Sequence, residues 1–372
     1  MSAAPEDLGL SSERLEAALS LLRERVDSGF VPGAVVAVFR RGRLVRLAPY
    51  GYRDPETLSL PVETDTTFLI ASLTKPIVVA GAVLLLQQGK LCLDQPAAHV
   101  IPEFGAQGKQ GVTIRHLMTH TSGLPDQLPQ SPELRRRQAP KDDFVRAVCE
   151  LAPLFQPGSQ VSYQSMGILI LGEIIERLTG MELRDYLQQR LFLPLGMDSS
   201  VLGMPPTGLE HSALCLPLRL PPESRDVGDD FNTIYWRDFG APWGGLHSTA
   251  ADLSRFLGHV LGDLPGPLSP AARRAMVRDQ LAGMPGVRSE EGLSRRWGLG
   301  FMLGAAYFGD LVSPDTFGHV GSTGTMYWAD PDSRLGCVLL TNQPQLLRDE
   351  SGRSEHFLPR FSNALAAAIE RW

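Results

Sequence analysis

Ala34-Val35-Val36-Ala37-Val38-Phe39, then Arg40-Arg41-Gly42-Arg43, then Leu44-Val45-Arg46-Leu47, is the stretch that decides the fold. Two apolar runs rich in β-branched residues, split by a short polar segment with a Gly, read as a β-hairpin. Upstream, Ser12-Glu13-Arg14 opens a helical pattern with Leu15, Ala18, Leu19 and Leu22 on one face, ending near Gly29. A helix followed by antiparallel strands disfavours a purely parallel α/β sheet, whose neighbouring strands need crossover connections.

Downstream of the hairpin the pattern turns helical. Ser72 to Gln88 is an apolar helix, polar only near its ends. Ile114 to His120, Asp142 to Glu150, Met166 to Leu178, Leu183 to Leu191, Ala250 to Leu261 and Pro270 to Leu281 follow. Pro205 to Gly245, rich in Pro, Gly and Asp, reads as an irregular loop region. Strands return at Gly298 to Leu303, Thr325 to Ala329 and Gly336 to Thr341, the last two joined by an Asp330-Pro331-Asp332 turn. Phe357 to Arg371 closes the chain as a helix. The class that follows is α/β of the α+β type: a mostly antiparallel sheet drawn from both chain ends, flanked by helices, with an inserted helical domain. The implied division is 10–70 plus 290–372 for the sheet domain and 71–289 for the insertion.

Composition narrows the function. Of 372 residues 43% are apolar and 20% charged, which suits a globular protein with a substantial core. A net charge of −6 leaves no cationic surplus to neutralise phosphates, so nucleic acid is not an expected partner. The basic run Arg135-Arg136-Arg137 reads as a solvated helix face. Cys92, Cys149, Cys215 and Cys337 are far apart in sequence and show no metal-binding or redox spacing. The first residues carry Glu6 and Asp7 without a basic and apolar leader. The longest apolar run, Pro76 to Leu86, falls short of the ~20 residues a bilayer demands. The expectation is a cytoplasmic protein, with no membrane partner and no metal or other cofactor.

Lysine usage is the first chemical signal. Lys75, Lys90, Lys109 and Lys141 are the only lysines among 35 basic residues. Lys90, Lys109 and Lys141 stand in polar stretches that read as solvated, whereas Lys75 precedes Ile77, Val78, Val79 and Ala80. An ammonium at the edge of an apolar helix is desolvated, and lysine, unlike arginine, can then give up its proton. Ser72 lies three residues earlier, a spacing that puts hydroxyl and amine on one helix face. Pro76 suits a first turn, which places Ser72 near a helix N-terminus where negative charge is favoured. A serine beside a lysine able to take its proton is an activated nucleophile. Tyr163-Gln164-Ser165 adds a phenol that becomes a proton shuttle if an ammonium favours its phenolate. Gly318-His319-Val320-Gly321-Ser322-Thr323-Gly324 is glycine-rich enough for a backbone to approach a ligand closely, with His319 projecting toward the same cleft.

Ser72-Leu73-Thr74-Lys75, Tyr163-Gln164-Ser165 and His319-Val320-Gly321, in this order and spacing, resemble the three motifs of serine β-lactamase-like hydrolases: class C β-lactamases, DD-peptidases and family VIII carboxylesterases. Ile114 to Pro125, Trp243 to Leu246 and Ser248 to Leu253 extend the resemblance, which runs from about residue 10 to 370. It implies that Ser72 is acylated and that Lys75 and Tyr163 form the base and proton relay. It also implies that the backbone N–H groups of Ser72 and Ser322 form an oxyanion hole, with His319, Gly321 and Ser165 beside the substrate. Two departures favour esters over lactams or peptides. His319 stands where many relatives carry a lysine suited to a substrate carboxylate, and Ser165 stands in place of an asparagine.

Other readings of the same residues are a β-lactamase or D-amino-acid peptidase or amidase of this fold, and a binding protein that retains the fold without turnover. Ser165-Met166-Gly167 half matches a Gly-x-Ser-x-Gly nucleophile elbow, but Tyr163 occupies the position that needs a small residue. The expected partner is a small ester or amide. Oligomeric state is not readable from the sequence.

Overall fold

The computed structural model describes residues 3–216, 230–282, 284, 288–289, 296–344 and 356–371. Among these, six strands form the main sheet: β1 (Gly33–Arg40), β2 (Arg43–Gly51), β3 (Met302–Leu303), β4 (Phe317–Gly321), β5 (Thr325–Ala329) and β6 (Leu335–Thr341). Their spatial order is β2-β1-β6-β5-β4-β3, every pair antiparallel. The N-terminal hairpin and the C-terminal strands therefore meet in one sheet, with Ala34 opposite Thr341 and Arg40 opposite Leu335. Arg41 and Gly42 both have positive φ, 51° and 71°, as a tight two-residue hairpin loop with the right-handed strand twist requires.

Alternation along β1 explains why every residue in it is buried. Val35, Ala37 and Phe39 face one core with Val338 and Leu340, while Ala34, Val36 and Val38 face another with Cys337 and Leu339. The second core is covered by α1 (Ser12–Asp27), capped by Ser11, and by the C-terminal helix Phe357–Ala366. The first is larger, and its helices include α2 (Thr74–Gln87), α3 (Met166–Thr179) and α4 (Ala250–Leu261), with α4 lying directly on β1 and β6. In α2 the run Thr74 to Leu85 is buried on all sides, so truncating one of its large side chains to Ala costs about 2–5 kcal/mol.

Several boundaries differ from expectation. Ser72 precedes α2, in the 3-10 turn Ala71–Leu73. The strand expected over Gly298 to Leu303 pairs only at Met302–Leu303. The helix Leu183–Leu187 widens into a π turn at Gln188–Phe192, and the last helix ends at Ala366. The irregular region contains two short helical segments, Pro206–His211 and Ile234–Phe239, while 217–229 lie outside the described residues.

Lys109 corrects the sequence reading. It is fully buried and donates to the carbonyls of Ala106 at 2.9 Å, Cys149 at 3.0 Å and Leu151. Polar neighbours in sequence said nothing of the helix end Lys141–Glu150, whose last carbonyls it satisfies. Among the described residues no helix is long and apolar enough to cross a membrane.

Candidate active site

The site is built around the turn that carries Ser72. Ala71, just before it, has φ of 48°, a left-handed conformation that is unfavourable for a residue with a Cβ. Such strain persists only where the surroundings hold it, and here the sheet supplies the clamp. Thr323 Oγ1 donates to the Leu69 carbonyl at 2.8 Å, Thr325 Oγ1 to the Ile70 carbonyl at 3.0 Å, and the Tyr327 hydroxyl to the Leu73 carbonyl at 3.0 Å. Three hydroxyls from β5 and its preceding turn thus fix the backbone on either side of Ser72. Gly321 makes this approach feasible, since a Cβ there would lie 2.3 Å from Thr325 Oγ1 and 2.6 Å from the Ile70 carbonyl oxygen.

Lys75 enters from the first turn of α2 with no exposed surface. Its Nζ is hydrogen-bonded to Ser72 Oγ at 2.9 Å and to the Trp243 carbonyl at 2.9 Å. Burial lowers its pKa to about 7, with the Asp126 carboxylate pulling weakly the other way. At neutral pH a substantial fraction is therefore free amine, the form that accepts a proton.

Tyr163 reaches the same place from a different element. It precedes α3, its ring centroid lies 4.7 Å from Lys75 Nζ, and the Ser72 hydroxyl is near enough to act on its phenol. The stretch Ile114 to Pro125 positions it. Gln164 donates its backbone N–H to His120 Nδ1 at 3.1 Å, and its side-chain amide gives to the His116 and Leu117 carbonyls and accepts from Ser122 Oγ. The His120 ring stacks on Tyr163 with centroids 4.7 Å apart. The expectation that a neighbouring ammonium would favour the phenolate is not met. Burial pushes the Tyr163 pKa well up, the Ser72 hydroxyl opposing, so the ring stays a neutral phenol.

One cavity of about 310 Å³ is lined by Ser72, Tyr163, Ser165 and Ser322, together with Asp126, Gln127 and Arg135. Leu69, Phe231, Trp236 and Trp243 supply apolar and aromatic wall. Larger clefts elsewhere, for example beside Glu176 and Arg184, contain neither Ser72 nor Lys75. Among the described residues no group of three or more His, Cys, Asp or Glu side chains is placed to hold a metal ion.

The structure thus brings Ser72, Lys75 and Tyr163 together and sets Ser165 and Ser322 on the same cavity. Ser165 Oγ donates to Asp126 Oδ1 at 2.5 Å, so its hydroxyl is already engaged. His319 and Gly321 do not line that cavity. His319 is 1% exposed and packs behind Tyr163, with ring centroids 6.0 Å apart. Its Nδ1 lies 2.7 Å from the Val320 carbonyl oxygen, and burial, then the charge of Lys75, lowers its pKa to about 3. The strand alternation turns His319 inward, beside the Tyr163 ring and away from the cavity lining. Gly321 acts through the close approach already described.

Sequence reasoning missed other contributors. Asp126 and Gln127 carry no chemistry legible in the sequence and Arg135 belongs to the run read as a solvated face, yet Arg135 stacks over Trp236 at 4.8 Å and donates to Gln127 Oε1 at 2.6 Å. Trp236 belongs to the short helix Ile234–Phe239, capped by Thr233. The available signal was the aromatic density of Phe231 to Trp243. The hydroxyl clamp had a weaker one, the Thr323, Thr325 and Tyr327 spacing at the start of a strand.

With this geometry in hand, comparison with known proteins identifies the family. The beta-lactamase profile matches residues 19–356. Protein Rv1367c of Mycobacterium tuberculosis is 32% identical over 84% of this chain and 86% of its own. Esterase EstB of Burkholderia gladioli is 31% identical over 90% and 91%, and penicillin-binding protein 4 of Amycolatopsis lactamdurans 33% over 84% and 81%. In fold the chain matches a family VIII carboxylesterase with a TM-score of 0.79 at 22% identity, covering 97% of this chain and 99% of that one. It matches a penicillin-binding protein homolog from Caulobacter crescentus with the same TM-score at 25% identity, again over 97% and 99%. A profile spanning most of the sequence, together with relatives above 30% identity over most of its length, makes this chain a member of the beta-lactamase family.

Proposed function

We propose that the protein is a serine hydrolase that cleaves small carboxylic esters through an acyl-enzyme on Ser72. The observation that carries this reading is the Lys75 amine hydrogen-bonded to the Ser72 hydroxyl at 2.9 Å, with Ser72 and the Tyr163 phenol lining one small cavity. Free Lys75 amine takes the Ser72 proton as Oγ attacks the substrate carbonyl. The carbonyl oxygen gains negative charge, which the backbone N–H groups of Ser72 and Ser322 receive; such donors each supply roughly 10²–10³ in rate. As the ester C–O bond breaks, the neutral Tyr163 phenol gives a proton to the leaving oxygen and is replenished from the Lys75 ammonium. Water then attacks the acyl-enzyme along the reverse proton path, releasing the acid and free Ser72.

The cavity lies at the small end of ligand pockets and suits short acyl groups. His319, neutral and turned inward, offers no cation to a lactam or peptide carboxylate, which favours ester over lactam substrates. Esterase EstB among the relatives supports the same choice. The site lies between the sheet, taken as 10–70 plus 290–372, and the mainly helical segment 71–289. A reducing cytoplasm is part of the reading, supported by Cys92, Cys149, Cys215 and Cys337 all being unpaired.

A fluorophosphonate probe followed by peptide mapping tests the proposal, with an adduct expected on Ser72. Hydrolysis of 4-nitrophenyl butyrate should vanish in Ser72→Ala. Unlabelled Ser72 in folded protein, or undiminished turnover by that variant, rejects the mechanism.

A further inference from the structure

In the reactive state nearly every titratable group around Ser72 is uncharged. Lys75 acts as free amine, and Tyr163 is held as phenol. His319 and His120 are driven to neutral imidazole by burial, His120 well below its ordinary pKa. The fixed charges on the cavity wall among the described residues are Arg135 and Asp126. Arg135 lies over Trp236, on the aromatic wall. Asp126 adjoins the chemistry, because its Oδ1 receives the hydroxyl proton of Ser165 and its charge is felt by both Lys75 and Tyr163.

A carboxylate there carries a catalytic cost. Attack by Ser72 develops a second negative charge on the substrate oxygen, and a carboxylate nearby raises that barrier. A cation on the substrate would offset it. Asp126 is exposed to the cavity, the bond from Ser165 fixes the orientation of its carboxylate, and a carboxylate has acceptor capacity beyond one hydroxyl. These features suit an ammonium donor, for which charge-assisted hydrogen bonds are the strong kind.

We propose that Asp126 recognises a protonated amine a few bonds from the scissile carbonyl, so that the preferred substrates are aminoacyl esters or amides. This inference rests on the serine hydrolase reading and narrows its substrate class. Ser165 serves as the positioning residue, fixing the carboxylate that meets the ammonium.

Two isosteric pairs of 4-nitrophenyl esters test it: glycine against propionate, and β-alanine against butyrate. Each pair exchanges an ammonium for a methyl group. The wild-type protein is expected to favour the ammonium member by about tenfold or more in kcat/KM, the range of a hydrogen bond between charged groups. In Asp126→Asn that ratio should fall about tenfold, whatever happens to the absolute rates, and in the wild type it should shrink with added salt. A wild-type ratio at or below one, a ratio insensitive to salt, or a ratio unchanged in Asp126→Asn overturns the inference. Turnover of the neutral esters with no ammonium preference sinks this inference and leaves the hydrolase reading standing. Absence of turnover in both series, together with an unlabelled Ser72, removes both.

Discussion

Lys75 Nζ and Ser72 Oγ lie 2.9 Å apart, and the same nitrogen is hydrogen-bonded to the Trp243 carbonyl at 2.9 Å. The amine is therefore fixed at both ends before any substrate arrives. Preorganisation of this kind removes the need to orient a base during the reaction.

The pH profile follows from the two groups that share the serine. Only the free amine of Lys75 takes a proton, and burial sets its pKa at about 7. kcat/KM for a neutral ester should rise tenfold per pH unit below about 7 and flatten above it. Because burial holds the Tyr163 pKa well above that of a free phenol, no fall is expected near pH 10. Activity that is flat from pH 5 to 8 would contradict this assignment.

Burying an amine has a stability cost that depends on pH. The unfolded chain binds a proton at Lys75 up to its ordinary pKa of 10.5, whereas the folded chain releases it near 7. Stability contributed by this group therefore rises with pH between those values, and the cost is complete below 7. Lys75→Met should abolish ester turnover yet raise stability at pH 6 by about 1–3 kcal/mol. The gain should dwindle as pH approaches 10. Denaturant melts at several pH values measure it.

Tyr163→Phe isolates the phenolic proton. The ring keeps its place between His120 and Lys75, with centroid distances of 4.7 Å to each, so the fold should persist. kcat should fall by about 10²–10⁴ through loss of proton transfer to the leaving oxygen. Esters with better leaving groups should suffer less, which a series of substituted phenyl esters would reveal.

The clamp on the nucleophile turn can be loosened without touching the cavity. Thr325→Val keeps the side-chain shape and removes the hydrogen bond to the Ile70 carbonyl. It should destabilise the fold by about 1–3 kcal/mol, since that carbonyl is left buried without its partner. Gly321→Ala is more severe, because its Cβ would meet the Ile70 carbonyl oxygen at 2.6 Å. Circular dichroism should report folded protein, with kcat reduced and KM little changed, as expected if Ser72 is displaced.

Much of this architecture was legible in the chain. β1, α3, α4 and β5 fall within a residue of their sequence boundaries, because strong apolar periodicity leaves few alternatives, whereas β2 runs on from the expected Leu47 to Gly51. The Ser72 and Lys75 spacing was readable for a related reason, since it is local. What was not readable depends on contacts between distant segments. His319 turns inward because β4 pairs with β5 in a register that sets its face. Lys109 is buried by carbonyls some forty residues later. Arg135, on the Ser131–Arg136 helix, reaches the cavity over Trp236, and Asp126 reaches it from the segment before that helix. Chain-local pattern contains none of that information.

The tether from Tyr327 to Leu73 spans 254 residues. A ribosome extrudes Ser72, Lys75 and Tyr163 well before β5 is made, so the nascent polypeptide holds its whole reactive trio without the backing that strains Ala71 into place. Catalytic competence then arrives as a late event of biosynthesis, and a product terminated before β5 would be an inert esterase carrying an intact nucleophile.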